Sequence, residues 1–206
     1  MRVITGSARG RRLKELEGME TRPTTGKVKE GLFSVIQFDI EGRRVLDLFA
    51  GTGQLGIEAL SRGAAHCDFV DVSRTAAAIV RENLNVTGLE GQGTVHQRDY
   101  TAFLQSARNE KYGLIFLDPP YNTDLLPSAL KALADADLCA PGSTIVCETD
   151  CDIPIKASRA RKDEEIAAEY VMKDVFGGSE ELADRYDVLK SNLYGRTRIT
   201  LLAPKK

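Results

Sequence analysis

From residue 43 onward, short apolar runs alternate with helix-length segments, and this alternation points to a parallel β-sheet whose strands are joined by crossover helices. Residues 44–49 form the first predicted strand, followed by a glycine turn and a helix over 54–62. A second strand over 67–72 leads to Ser73, a good N-cap for a helix reaching residue 87. Strand 93–99, helix 100–108, strand 112–118, helix 124–135 and strand 143–148 follow. After residue 152 the pattern changes. Residues 159–172 look helical, Gly177-Gly178 breaks the chain, and 187–193 with 197–202 read as an antiparallel pair closing the sheet edge. Ahead of residue 43, segments 2–5 and 11–16 predict a small β-hairpin, and 26–37 a helix. The expected fold class is α/β: a doubly wound, mostly parallel seven-stranded sheet with an antiparallel edge strand, plus the N-terminal hairpin.

A chain of 206 residues, 42% of them apolar, can bury one good core, so 1–206 is expected to be a single domain. Residues 1–20 would be a basic hairpin extension and 21–206 the Rossmann-like core. No stretch approaches the roughly 18 uncharged apolar residues of a membrane span, and Met1 to Gly6 lacks the apolar core of a signal peptide. A cytoplasmic location is expected, with no membrane partner. Cys67, Cys139, Cys147 and Cys151 show no CxxC spacing and are expected to be buried and reduced. His66 and His96 are far apart in sequence without ligand-spaced partners, so no metal is assigned.

The net charge of −2 hides an asymmetry. Residues 1–30 hold eight basic groups against four acids, whereas the rest carry 20 against 26. A basic arm on an acidic domain suits contact with phosphates.

Ala50-Gly51-Thr52-Gly53-Gln54-Leu55-Gly56 contains a complete G-x-G-x-x-G between a strand and a helix, with Asp71 20 residues beyond Gly51. The glycines let backbone approach a ligand, and an acid ending the second strand can accept both ribose hydroxyls. That much suits NAD and S-adenosylmethionine alike. Asp47 separates them, because a carboxylate just before the turn repels a pyrophosphate but meets the cationic amino-acid end of S-adenosylmethionine. Asp99-Tyr100 ends the third strand, offering an acceptor for the adenine amine and a ring for the purine face.

Asp118-Pro119-Pro120-Tyr121 closes the fourth strand, beside the first in the doubly wound order. The prolines remove two backbone donors and leave carbonyls as acceptors. An exocyclic amine on a base has its lone pair delocalised into the ring. Asp118 and the Pro119 carbonyl can hold its two hydrogens while Tyr121 stacks on the ring, favouring a pyramidal nitrogen. The tetrapeptide alone does not choose among amines: adenine N6, a guanine amine or a glutamine side chain all fit. An NAD-dependent oxidoreductase and a noncatalytic RNA-binding assembly factor are alternatives of other classes.

These residues resemble the class I methyltransferases, and the whole chain is similar to the bacterial RsmD-type 16S rRNA guanine-N2 methyltransferase family. The resemblance rests on Gly6 to Arg12, Arg22-Pro23-Thr24-Thr25, Asp47 to Gly53, Gly56 to Ala64, Asp118 to Tyr121 and Tyr194-Gly195. It implies methyl transfer from S-adenosylmethionine to N2 of one guanine, usually guanine 966, in the assembling small ribosomal subunit. It implies that Asp47, Phe49, Gly51, Thr52, Gly53, Asp71, Val72, Asp99 and Tyr100 surround the cofactor. Asp118 to Tyr121 would hold the base, and Arg9, Arg11, Arg12, Arg22, Thr24 and Lys27 would meet the RNA. Where the family often carries Asp-Arg and a further Arg after Arg-Pro-Thr-Thr, this chain has Gly26, Lys27 and Lys29, keeping two charges without bidentate geometry. Residues 156–185 look like an insertion.

Overall fold

The computed structural model describes residues 1–16, 26–107, 109–120, 123–150 and 168–205. Arg22, Thr24, Tyr121, Cys151 and most of the helix expected over 159–172 lie outside them. The elements are α1 (Gly26–Val35), β1 (Arg44–Asp47), α2 (Gln54–Ser61), β2 (His66–Asp71), α3 (Arg74–Thr87), β3 (Gly93–Gln97), α4 (Tyr100–Ser106), β4 (Tyr112–Leu117), α5 (Leu125–Asp135), β5 (Cys139–Asp150), α6 (Glu180–Ala183), β6 (Tyr186–Tyr194) and β7 (Thr197–Pro204). A π-helical turn spans Val171–Val175. Apart from the N-terminal hairpin, the expected elements among the described residues are present. β5 starts four residues earlier than expected, at Cys139, and pairs there with Tyr112 across a register shift.

The sheet order is β3-β2-β1-β4-β5-β7-β6, parallel except for β7, which runs antiparallel to both its neighbours. From β1 the chain winds outward through β2 and β3, then returns to lay β4 on the other side of β1. That reversal opens a crevice at the carboxyl ends of β1 and β4, where ligands of open α/β sheets bind. Because central strands are buried on both faces, they read as nearly continuous apolar runs. Val45, Phe69 and Phe116 pack on one face with Phe33 and Leu60, while Leu46, Val70 and Ile115 pack on the other with Phe103 and Leu130.

Local chemistry fixes the helix starts. Ser73 Oγ accepts from the Ala76 N–H at 3.2 Å to cap α3, and the Asp99 carboxylate caps α4 through the Thr101 N–H at 2.8 Å. Gly56 is the glycine that lets α2 lie on the sheet: a Cβ there would come within 2.3 Å of the Phe69 ring.

The expected N-terminal hairpin is reduced to one antiparallel bridge, Arg2 with Arg12. Its turn is held elsewhere, because Gly6, at φ +90, passes so close to α2 that a Cβ would meet the Ser61 carbonyl at 1.6 Å. Glu58, fully buried on α2, accepts from the Ile4 and Thr5 N–H groups at 2.8 and 3.0 Å and pairs with Arg62 at 2.9 Å. Lys29 of α1, 1% exposed, sits 3.1 Å from the same carboxylate and donates to the Arg2 carbonyl at 2.8 Å. This corrects the expectation that Lys29 supplies a phosphate-facing charge. Its ammonium is committed to Glu58, and burial lowers its pKa against the pull of that carboxylate.

Candidate active site

Five strands deliver an aspartate to one edge of the sheet. Asp47, Asp71 and Asp150 end β1, β2 and β5, while Asp99 and Asp118 lie just beyond β3 and β4. All five line a single cavity of about 750 Å³. Phe49, Gly51, Thr52, Val72, Tyr100, Pro119 and Pro120 line it as well, so the glycine turn and the Asp-Pro-Pro segment open into the same space. Gly53 does not line the cavity. At φ +76 it turns the chain into α2 instead.

Asp47 is 2% exposed, and its Oδ2 accepts from the Gly56 N–H at 3.0 Å. Burial raises its pKa to about 7; the Gly56 bond opposes the rise and nearby Asp71 adds to it. Among the described residues no cation pairs with it. A carboxylate so placed gains from a cationic ligand. Asp71 ties the glycine turn to the start of α3, accepting from the Gly51 N–H at 2.9 Å and the Ser73 N–H at 2.8 Å. Each of its oxygens keeps acceptor capacity for a ligand hydroxyl.

Asp99 also serves two ends. One oxygen takes the Thr101 hydroxyl and backbone N–H, the former being the main reason its pKa is lowered, while the carboxylate stays exposed at the cavity rim. The rings of Tyr100 and Phe49 meet at 5.4 Å between centroids, and Val72 is 72% exposed beside them. All three line the cavity. Across the cavity, Pro119 is buried and Pro120 exposed. The Pro120 carbonyl accepts from the Thr123 hydroxyl at 2.8 Å.

Of the expected RNA contacts, Arg9, Arg11, Arg12 and Lys27 are exposed and none lines this cavity. Three groups of residues escaped the sequence reading. Asp150 follows the same rule as the other strand-end acids and was findable by it; Arg196, in the β6–β7 turn, pairs with it at 3.0 Å. Glu15 and Leu16 form a wall of the cavity, which no local pattern signals. Outside the cavity lining, His96, Arg44 and Tyr112 meet on buried Asp68 at 2.8, 2.7 and 3.0 Å, and His66 lies 3.8 Å away. Cys67 and Cys147 are buried thiols and Cys139 is partly buried; all three are free.

The chain matches the family described as "Conserved hypothetical protein 95" over residues 1–171. It is 43% identical over 157 residues to "Putative rRNA methyltransferase YlbH" of Bacillus subtilis, covering 75% of this chain and 85% of the relative. It is 35% identical to "Ribosomal RNA small subunit methyltransferase D" of Haemophilus influenzae, covering 75% and 81%. A solved structure, "Putative methyltransferase yhhF from Escherichia coli", superposes with a TM-score of 0.77 at 26% identity, over 100% of this chain and 98% of that one. With its sheet order and strand-end cavity matching the Rossmann-like class I methyltransferase fold, this chain belongs to the RsmD-type methyltransferase family.

Proposed function

We propose that the protein transfers a methyl group from S-adenosylmethionine to the exocyclic N2 amine of a guanine in 16S rRNA of the assembling small ribosomal subunit, by resemblance guanine 966. The observation that carries this reading is the one cavity lined by Asp47, Gly51, Asp71 and Asp99 on one side and by Asp118 and Pro119 on the other. Asp47 would face the ammonium end of the cofactor, Asp71 the ribose, and Asp99, Val72, Tyr100 and Phe49 the adenine.

The target amine would donate its two hydrogens to Asp118 and the Pro119 carbonyl, with Tyr121 against the base. Held so, the nitrogen lone pair is directed at the methyl carbon. The N–C bond forms as the C–S bond breaks, the bonding pair returns to sulfur, and the proton lost from nitrogen passes to Asp118 and then to water. Orientation and fixed acceptors supply most of the acceleration. Because N2 lies on the Watson–Crick edge, the base would be unpaired or flipped, at a cost of a few kcal/mol.

The test is to incubate the protein with labelled S-adenosylmethionine and undermethylated small subunits and map the modified nucleotide. Label at a guanine N2 is expected. Label only on adenine N6 or on a protein glutamine would overturn the base assignment while keeping the chemistry, and NAD binding without S-adenosylmethionine binding would overturn the chemistry. Asp118→Ala is expected to abolish turnover with cofactor affinity within a few-fold; unchanged turnover would take Asp118 out of the chemistry, and RNA binding with no methylation by the unaltered protein would point to a noncatalytic assembly role.

A further inference from the structure

Among the described residues two arginines line the cavity that holds Asp118. Arg98 precedes Asp99 in the chain and donates to Ser106 Oγ of α4 at 3.0 Å, so it belongs with the β3 end of the sheet. Arg196 comes from the other half, from the turn between β6 and β7, and donates to Asp150 Oδ2 at 3.0 Å. Asp150 ends β5, the strand paired to β4, and takes no part in the cofactor and amine contacts assigned above. An acid and a base from one edge of the sheet thus face the same space as Asp118.

Backbone geometry fixes where both residues stand. Leu117, the last residue of β4, pairs with Cys147, and β5 runs on past that register to Asp150. The chain leaves β4 as Asp118, so Asp150 lies about two residues, roughly 7 Å, beyond it along the strand direction. Opposite Asp150 in the antiparallel ladder stands Thr197, the neighbour of Arg196 in the chain. Tyr194 pairs with Thr197, which makes Gly195-Arg196 a two-residue hairpin loop. Gly195, at φ +65, takes the first central position, where a type II′ turn requires glycine. So short a loop keeps Arg196 beside Asp150, and binding need not order a long segment first. Asp150 is half-buried and Arg196 exposed, and the bond between them by itself exhausts neither the carboxylate's acceptor sites nor the guanidinium's donors.

We infer that Asp150 and Arg196 are the specificity-determining residues that select guanine, Asp150 accepting from N1–H of the base and Arg196 donating to O6. This rests on the amine transfer proposed above. With the amine seated on Asp118 and the Pro119 carbonyl, the next two positions along the hydrogen-bonding edge are what distinguish the candidate substrates. Guanine presents a donor, N1–H, and then an acceptor, O6. Adenine presents the N1 lone pair and then C2–H, cytosine presents the acceptors N3 and O2, and a glutamine side chain presents only its carbonyl. A carboxylate followed by a guanidinium matches the guanine order and sets a lone pair against Asp150 in each of the others. A site built to hydrogen-bond its substrate rejects analogues that cannot return the bond.

The experiment measures kcat/KM for methyl transfer to small subunits reconstituted with rRNA that carries guanine, 2-aminopurine or 2,6-diaminopurine at the target position. All three bases keep the 2-amino group. 2-Aminopurine lacks N1–H and O6, and 2,6-diaminopurine replaces them by an acceptor and a donor. The unaltered protein should favour guanine over either analogue by about 100-fold, within the range of a good bidentate base contact. Asp150→Asn, whose amide can donate to an unprotonated N1, should bring the ratio of guanine to 2-aminopurine down by about 10-fold or more. Arg196→Met should slow transfer to guanine and spare 2-aminopurine, which has no group for the guanidinium, and Arg196→Lys, which keeps a donor, should restore part of the preference. Arg185→Gln, which breaks the surface pair of Arg185 with Asp135 instead, should keep the parent ratio. S-adenosylmethionine affinity, measured by calorimetry, should be unchanged in every variant, so that a shifted ratio reports base selection and not loss of the fold. Losses of equal size on all three bases in Asp150→Asn and Arg196→Met would overturn the inference, as would equal rates on guanine and 2-aminopurine by the unaltered protein, and either result leaves the amine transfer standing. Transfer by the unaltered protein to an adenine, or to no RNA base while S-adenosylmethionine binds, would bring down the substrate reading and this inference together.

Discussion

Asp47 and Asp68 lie on adjacent strands, one register position apart, and both are buried, yet their chemistry diverges. Burial pushes both carboxyls up. For Asp68 the rise is more than cancelled by hydrogen bonds from His96 and Arg44, the Arg44 charge and the Tyr112 hydroxyl, leaving it at about 2. Asp47 receives one backbone N–H and has Asp71 nearby, so it stands at about 7. Asp68 is satisfied within the fold, whereas Asp47 has no cation partner among the described residues. A buried acid marks a binding site by its missing partner, not by its burial.

The comparison would be broken most directly by exchanging the two fates. Asp68→Ala leaves the buried Tyr112 hydroxyl without its acceptor and removes the His96 and Arg44 hydrogen bonds, although partly exposed Arg44 keeps Glu110 at 2.8 Å. It should destabilise the protein by about 3 kcal/mol in urea unfolding, the scale of lost hydrogen bonds to a charged group, with S-adenosylmethionine affinity of the folded fraction unchanged. Asp47→Asn should do the reverse: S-adenosylmethionine affinity falls by about ten-fold or more, about 1.4 kcal/mol, while stability at neutral pH holds or rises. If Asp47→Asn unfolds the chain and Asp68→Ala spares it, the contrast is wrong.

Smaller effects sharpen it. Tyr112→Phe removes only the hydroxyl on Asp68 and should cost about 1.5–3 kcal/mol, the range for a hydrogen bond to a charged group. The pH dependences should have opposite signs. Asp68, with its pKa depressed, stabilises the fold above the unfolded carboxyl pKa near 4, and that contribution should be lost as pH falls toward 2. Asp47, with its pKa raised, should make the ligand-free protein lose stability as pH rises from about 4 to about 7. Asp47→Asn should remove that slope. S-adenosylmethionine affinity should strengthen over the same interval as the carboxylate ionises, and calorimetric titrations at several pH values would check it.

Legibility followed the range of the interactions involved. The glycine turn, the Ser73 cap and the acids at strand ends were visible because each depends on a few consecutive residues. Asp150 obeyed the same rule, yet was missed because β5 runs two residues further than its apolar core suggests. Lys29 looked like one more charge in a basic arm. Its burial depends on Glu58, 29 positions away on another helix. His66 and His96 showed no partner in sequence because both face an aspartate that reads as an ordinary strand residue.

By itself, then, the sequence determined the order and type of most elements, the glycine turn that lines the cavity and the reaction type that Asp118-Pro119-Pro120-Tyr121 suits. These follow from periodicity, backbone sterics and capping, which act within one or two turns of chain. Only the tertiary structure decided that Asp47 has no cation beside it among the described residues, which lysine is lost to the interior and how the basic arm is stitched beside the site. Those outcomes are set by desolvation and ion pairing between groups brought together from distant parts of the chain, and no local pattern encodes who meets whom.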